Sequence, residues 1–496
     1  MAGSATVETV AIPWLHVIRE HPALLEKYTN IFDTPNRTQS AAYYLLGRGR
    51  AFAVIARQFI RLIQDNGHLW FCGKKIPSSV DYLFISHLLS PSQSSNSDDF
   101  YFGDIPEKLA ARGYSVAIAL INHSGKSATP IRNLWKKSRV TRIILSDSLS
   151  LYDEIVLYQR LRKESNRLRA EAMRQSGSLE RMVYLRSAEE ALSSGALGAL
   201  RVASQIRRLV AQTCAKTVVI THEGHSWERT VIATARMANP SVRCIGYQHA
   251  AVFRLQHALR RNLSREYNPD QIVTAGLAGK KQLDASPRLQ NIPITILGSN
   301  RAISQTKRTW PTKRPKKKRI GKGTVCLVLP EGILSECCCL FNFSIACSKA
   351  FPEIKFIWRL HPVVDFRKLC SRNRKFKKLP NNVSISRESL MSDFARANNV
   401  LYRGSTAAVQ AVAAGLRPIY LQVKKELSID PLHEIDNHIT KIKNIQEFGN
   451  AINSAKRKSS EGYYKKELQI QKYCKSFFTQ LNPSALLKAN AKYSRK

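Results

Sequence analysis

Residues 400–423 read VLYRGSTAAVQAVAAGLRPIYLQV. Val400–Tyr402 is a short apolar run, and Arg403-Gly404-Ser405-Thr406 is a turn that opens a helix of small residues, Thr406–Ala414. Gly415 caps that helix, and Pro418–Val423 is apolar again. Strand, turn, helix and strand in this order describe one unit of a parallel α/β sheet. The turn can act chemically. Gly404 lets another group approach the backbone, and free amides at a helix start beside two hydroxyls make a cradle for phosphate. A plain Ser/Thr N-cap uses the same residues.

The same alternation runs through the chain on both sides. Towards the C-terminal side of the middle, strands are expected at Thr324–Leu329, Ile354–Trp358 and Val383–Ile385, with helices at Leu334–Ala350 and Ser389–Ala397. Earlier, apolar runs stand at Val80–Ser86, Tyr114–Ile121, Thr141–Ser146, Thr217–Thr221, Val242–Tyr247, Gln271–Thr274 and Ile292–Leu297. A long charged, helix-prone stretch fills 151–210. Short strands apolar on both faces, alternating with helices, mark parallel sheets covered on both sides. The expected fold is therefore α/β: two Rossmann-like domains facing a cleft, with a helical N-terminal extension. The boundaries are a helical region at 1–75, a first Rossmann-like domain at 76–305, a basic linker at 306–322, a second Rossmann-like domain at 323–480 and a basic tail at 481–496. In the first region, Phe52, Ile55, Phe59 and Ile63 recur at helical spacing, as a packed accessory helix or a membrane-facing one.

Ligands of such sheets sit beyond the C-terminal strand ends, and four ends carry reactive groups. After Thr217–Thr221 come His222, Glu223, Gly224, His225 and Ser226; Glu223 can accept a proton from a hydroxyl or serve as a first-turn acid. Glu228 lies inside the next helix, where it can pair with Arg229. After Thr324–Leu329 come Pro330, Glu331 and Gly332. Glu331 can bind a sugar hydroxyl or be the base itself, and Gly332 admits a ligand. After Ile354–Trp358 come Arg359, Leu360, His361 and Pro362; the proline biases His361 towards an extended backbone, and its imidazole can meet a phosphate or a leaving group. The fourth end is Gly404-Ser405-Thr406.

Composition narrows the classes. The chain has 496 residues and a net charge of +42, enough length for two domains and a field that draws polyanions and anionic surfaces. Lys307–Lys322 holds nine basic residues and no acid, with Pro311 and Pro315, as in an exposed linker. No apolar run reaches the ~20 residues of a membrane span. The first residues, MAGSATVE, lack a secretory leader. The chain is thus expected in the cytoplasm, on the anionic inner face of the membrane. Ten cysteines without a Cys-x-x-Cys pair argue against zinc, and Cys337-Cys338-Cys339 fits a buried helix. Neither a P-loop nor an Asp-x-Asp triplet occurs, so no metal and no cofactor are expected.

Glu223 to Arg229, Gly246-Tyr247-Gln248-His249, Pro330-Glu331-Gly332 and His361-Pro362 together resemble a group of surface carbohydrate biosynthesis proteins tied to O-antigen and capsule clusters. They are also similar to bacterial sialyltransferases and Kdo transferases, which use CMP-activated sugars on a glycosyltransferase B fold. The resemblance spans roughly residues 80–425. It implies an inverting transfer from a nucleotide-sugar donor to a polysaccharide or lipid-linked acceptor, with Glu223 as base. It places His361, Ser405 and Thr406 on the phosphate, and Glu331, Gly332, Gly404 and His249 around the substrates. The family pattern has two acids before its glycine; here His222 takes the first place, so Glu223 and Glu331 compete for the role of base. The alternatives are a CDP-glycerol-type polyol-phosphate transferase and a non-enzymatic nucleic-acid-binding protein. The second rests on charge alone and lacks a stacking platform; no specific nucleic acid is expected.

Overall fold

The computed structural model describes residues 6–16, five positions between 49 and 63, and 68–302 and 323–491 apart from 96, 136–137, 425, 427 and 458–460. The linker expected at 306–322 and most of the region expected at 1–75 lie outside these residues, as do Phe52, Ile55 and Phe59. The five positions between 49 and 63 are helical, and Ile60 and Ile63 are exposed.

The first sheet holds β1 (Trp70–Cys72), β2 (Tyr82–Leu88), β3 (Val116–Asn122), β4 (Thr141–Leu145), β5 (Thr217–Thr221), β6 (Arg243–Gln248), β7 (Gln271–Thr274) and β8 (Ile294–Ile296). Their spatial order is β1-β4-β3-β2-β5-β6-β7-β8. The second sheet holds β9 (Thr324–Leu329), β10 (Ile354–Trp358), β11 (Val383–Ile385), β12 (Asn399–Tyr402), β13 (Arg417–Leu421) and β14 (Thr440–Ile442), ordered β11-β10-β9-β12-β13-β14. Every pairing is parallel except that of β1 with β4. The two Rossmann-like α/β units read from the sequence are the architecture of the chain. Central strands such as β4 and β5 are buried throughout, which is why they read as unbroken apolar runs.

Each sheet has one point where the chain reverses its direction of growth. In the first, β2, β3 and β4 build outward one way. The chain then returns through α1 (Leu151–Arg174), α2 (Ser178–Glu190) and α3 (Ser194–Thr213) to set β5 on the other side of β2. These helices form because their starts are capped: Ser150 accepts the N–H of Asp153, and Ser193 accepts that of Ala196. Leu157, Leu161 and Leu168 bury one stripe of α1. In the second sheet β9, β10 and β11 grow one way, and β12 returns to the free side of β9. A crevice opens at such switch points beyond the strand ends.

Two features depart from the sequence reading. Trp70–Cys72, inside the region expected to be helical, is a strand that covers the outer edge of β4; three residues are too few to show a period. Residues 481–496, read as a basic tail, are structured as far as 491. After α4 (Ser226–Ala238), α5 (Leu334–Ala350), α6 (Thr406–Ala413), α7 (Ile445–Arg457) and α8 (Glu461–Lys475), the chain crosses back to the first lobe and ends in α9 (Ser484–Ala491). Ser476 O accepts from Ala278 N at 3.0 Å, Thr479 O from Ser299 N at 2.8 Å, and Leu297 O from Asn482 N at 2.8 Å. Phe477, Phe478 and Leu486 are buried in a core cluster shared by both lobes. The apolar residues of this segment, not its lysines, decide where it lies.

Candidate functional site

The two switch points bring the candidate residues together. At the first, β2 ends beside β5, and His87 Nε2 lies 3.2 Å from Thr221 Oγ1. His87 Nδ1 meets His123 Nε2 at 3.0 Å. Beyond β5 the chain turns sharply at Gly224, whose φ of +82° suits a residue without a side chain. The turn sets Glu223 Oε2 3.1 Å from His225 Nε2. Glu228, at the start of α4, is 1% exposed and fixes the turn: its carboxylate accepts from Glu223 N at 2.8 Å and His225 N at 2.9 Å. The pair read from sequence between Glu228 and Arg229 is not the arrangement found. Arg229 donates instead to Asn268 Oδ1 (2.5 Å) and to the carbonyls of Ala258 and Arg261. His222 is fully buried under the turn, with its ring against Gly246 and Nδ1 3.5 Å from the Glu228 carboxylate.

His249, just past β6, stands edge-on to Tyr101 with ring centres 4.5 Å apart. Burial lowers its pKa to about 4; Glu223 works against this and Arg301 adds to it. His87 falls to about 3, chiefly through burial and then through His123. The first crevice thus holds the Glu223 carboxylate beside the His87 and His249 rings, which are neutral at pH 7, with Tyr101 and Trp227 packed edge-on to His87.

At the second switch point β9 ends beside β12. The Glu331 side chain lies on Gly404 so closely that a Cβ there would collide with its carboxylate. The His361 ring packs on Gly332, where a Cβ would stand 2.9 Å from Nδ1. Glu331, Gly332, His361 and Gly404 therefore form one cluster, with Ser405 and Thr406 following at the start of α6. Ser405 is 6% exposed and its side chain makes no capping hydrogen bond. Arg403 anchors the turn from below. It is 2% exposed, with Nε 2.8 Å from Glu336 and a second nitrogen 2.5 Å from Glu426. Val363 N donates to His361 Nδ1 at 3.4 Å, so the neutral ring carries its proton on Nε2. Burial lowers the His361 pKa, helped by Arg301 and opposed by Glu331.

Arg301 joins the two clusters. It follows β8, its carbonyl accepts from Gln410 Nε2 of α6 at 3.1 Å, and its charge acts on His249 in one lobe and His361 in the other. A cation between two strand-end clusters suits an anion bound across them. Among the described residues no group of three His, Cys, Asp or Glu side chains is arranged to hold a metal ion, and no helix is long and apolar enough to cross a membrane.

The sequence matches no family model and no curated protein. Among solved structures, a putative UDP-N-acetylglucosamine 2-epimerase from Listeria monocytogenes matches 85% of this chain and 97% of its own at 9% identity, TM-score 0.47. The glycotransferase of kitacinnamycin matches 81% and 96% at 11% identity, TM-score 0.45. The glycosyltransferase SnogD from Streptomyces nogalater matches 84% and 100% at 12% identity, TM-score 0.44. Likenesses this distant say nothing of the reaction, and the description of the lobes rests on their strands.

Sequence reading missed His87, His123, Tyr101 and Arg301. His87 had a signal: it stands at the end of an apolar run, the position at which the other candidates were sought. Tyr101 comes from a connection without periodicity, and Arg301 is one basic residue among 78 Lys and Arg.

Proposed function

We propose that the chain is a glycosyltransferase that moves a sugar from a nucleotide-activated donor to a hydroxyl acceptor. The observation that carries this reading is the joining of two switch-point clusters, one built round Glu223 and one round Glu331, Gly404 and His361, by the charge of Arg301. The donor phosphate would rest on the amides and hydroxyls of Ser405 and Thr406, with His361 Nε2–H and Arg301 as further donors. The acceptor hydroxyl would lie by Glu223. As its oxygen attacks the anomeric carbon, its proton passes to Glu223, the bond to the phosphate oxygen breaks, and the configuration inverts. His225 steadies the Glu223 carboxylate, and the neutral rings of His87 and His249 stand beside it. Following the resemblance, the donor is a CMP-activated sialic-acid-like or Kdo-like sugar and the acceptor a lipid-linked or surface polysaccharide. The net charge of +42 favours an anionic membrane surface as the place of work; vesicle sedimentation that ignores anionic lipid would remove that part.

The test is a thermal-shift panel of CMP, CDP, UDP and GDP with their sugars. A ligand at 100 times its Kd stabilises by ~2.7 kcal/mol. Stabilisation by CMP supports the full reading, and by another nucleotide changes the donor. Silence from every nucleotide would sink the enzyme. Glu223→Gln should lower turnover by ~10²-fold or more with nucleotide affinity kept. Near-normal turnover would move the base to Glu331.

A further inference from the structure

We propose that a cavity on the far edge of the second sheet is a second carbohydrate site, shaped for a single neutral sugar ring. The cavity measures about 250 Å³, against the ~150 Å³ that suffices for benzene. Asn399 and Arg417, which begin β12 and β13, line it. The cleft lies at the other ends of the same strands, so this space is separate from the site described above.

Its lining is polar and incompletely paired. Asn399 is 4% exposed and Gln471 8% exposed. Neither side-chain amide has a hydrogen-bond partner among the described residues, and both residues line the cavity. His438, also in the lining, has a buried Nδ1 without a partner. The two amides are nearly buried yet not sealed from the cavity, so together with His438 Nδ1 they offer hydrogen bonds to whatever enters it.

The chemistry of the occupant follows from the groups. Arg417 Nε lies 3.0 Å from Glu467 Oε1, so this cation and anion offset each other and the site favours no net charge. An amide offers donors and an acceptor side by side, as does a pair of neighbouring hydroxyls, each of which both gives and accepts. Leu416 and Ile439 supply apolar wall for the C–H face of a ring. A neutral monosaccharide satisfies all three conditions. A phosphate or carboxylate would face Glu467 and leave the amide oxygens without a donor.

The test uses the full-length protein and free D-glucose, D-galactose, D-mannose and N-acetyl-D-glucosamine, each read by saturation-transfer NMR. At least one sugar should receive saturation from the wild type. That transfer should vanish in Asn399→Leu and in Ser454→Trp, and persist in His361→Ala. Ser454 is exposed on α7 at the cavity, so a tryptophan there blocks the space without entering the core, and melting curves confirm that both variants fold. No transfer to any of the four sugars overturns the proposal. So does transfer that survives Ser454→Trp, or transfer lost in His361→Ala. The readout contains no nucleotide, so its failure leaves the donor cleft untouched, and failure of the nucleotide panel leaves this result standing.

Discussion

Gly404 is where the second cluster depends on the absence of a single carbon. A methyl group there would push the Glu331 carboxylate off the turn, while the backbone keeps an ordinary conformation, since Gly404 is not among the positive-φ glycines. Gly404→Ala should therefore leave melting nearly unchanged and weaken nucleotide binding by about tenfold, equal to ~1.4 kcal/mol. Calorimetry with the nucleotide found in the thermal-shift panel checks it; unchanged affinity would separate Glu331 from the donor. At this scale the sequence was half informative. Glu223, Glu331, His361 and Gly404 were legible as strand-end candidates because each follows a recognisable strand. The partners of those residues were not, because contact between Glu331 and Gly404 depends on β9 lying beside β12, and no local pattern encodes adjacency across 70 residues of chain.

Among the elements, the short N-terminal segment 6–16 shows how a buried base ties stability to pH. His16 is 3% exposed and has a pKa lowered to about 3 by burial first and Arg261 next. His222, also fully buried, is shifted the same way by burial. In the unfolded chain both take up protons near pH 6.5. Between pH 6.5 and the folded value the unfolded state binds more protons, so stability rises with pH. It is fully present above pH 6.5 and is lost progressively as the pH falls towards 3. Melting temperature should drop steadily from pH 7 to pH 4, and His16→Leu should make that slope shallower; an equal slope would mean His16 takes no part. Strands were the most legible elements: β5, β7, β9, β10 and β11 begin and end where their apolar runs do. The edge strands β1 and β14 were missed: Trp70–Cys72 fell inside a stretch read as helical, and Thr440–Ile442 has a single buried residue to mark it.

For the molecule as a whole, the return of the chain after α8 matters more than its position in sequence suggests. Removing residues 476–496 would cut four backbone hydrogen bonds to the first lobe and expose Ala275, Ala278 and Leu297, which share a core cluster with Phe477 and Phe478. Losing one large buried aromatic costs ~3–5 kcal/mol, so a protein ending at Lys475 should melt well below the full chain or fail to fold. A truncated protein with unchanged melting would show that the segment only decorates the surface. Residues 481–496 read as a solvated basic tail, whereas Leu486 within them is buried in the core cluster that also holds Phe477 and Phe478.

Where Ser476 follows α8, the chain leaves the second lobe and is bonded into the first through Ala275, Ala278, Leu297 and Ser299. This stretch is a clasp: the lobes cannot part along it without breaking a ladder of amide hydrogen bonds. Any opening of the cleft has to leave that seam shut and widen away from it.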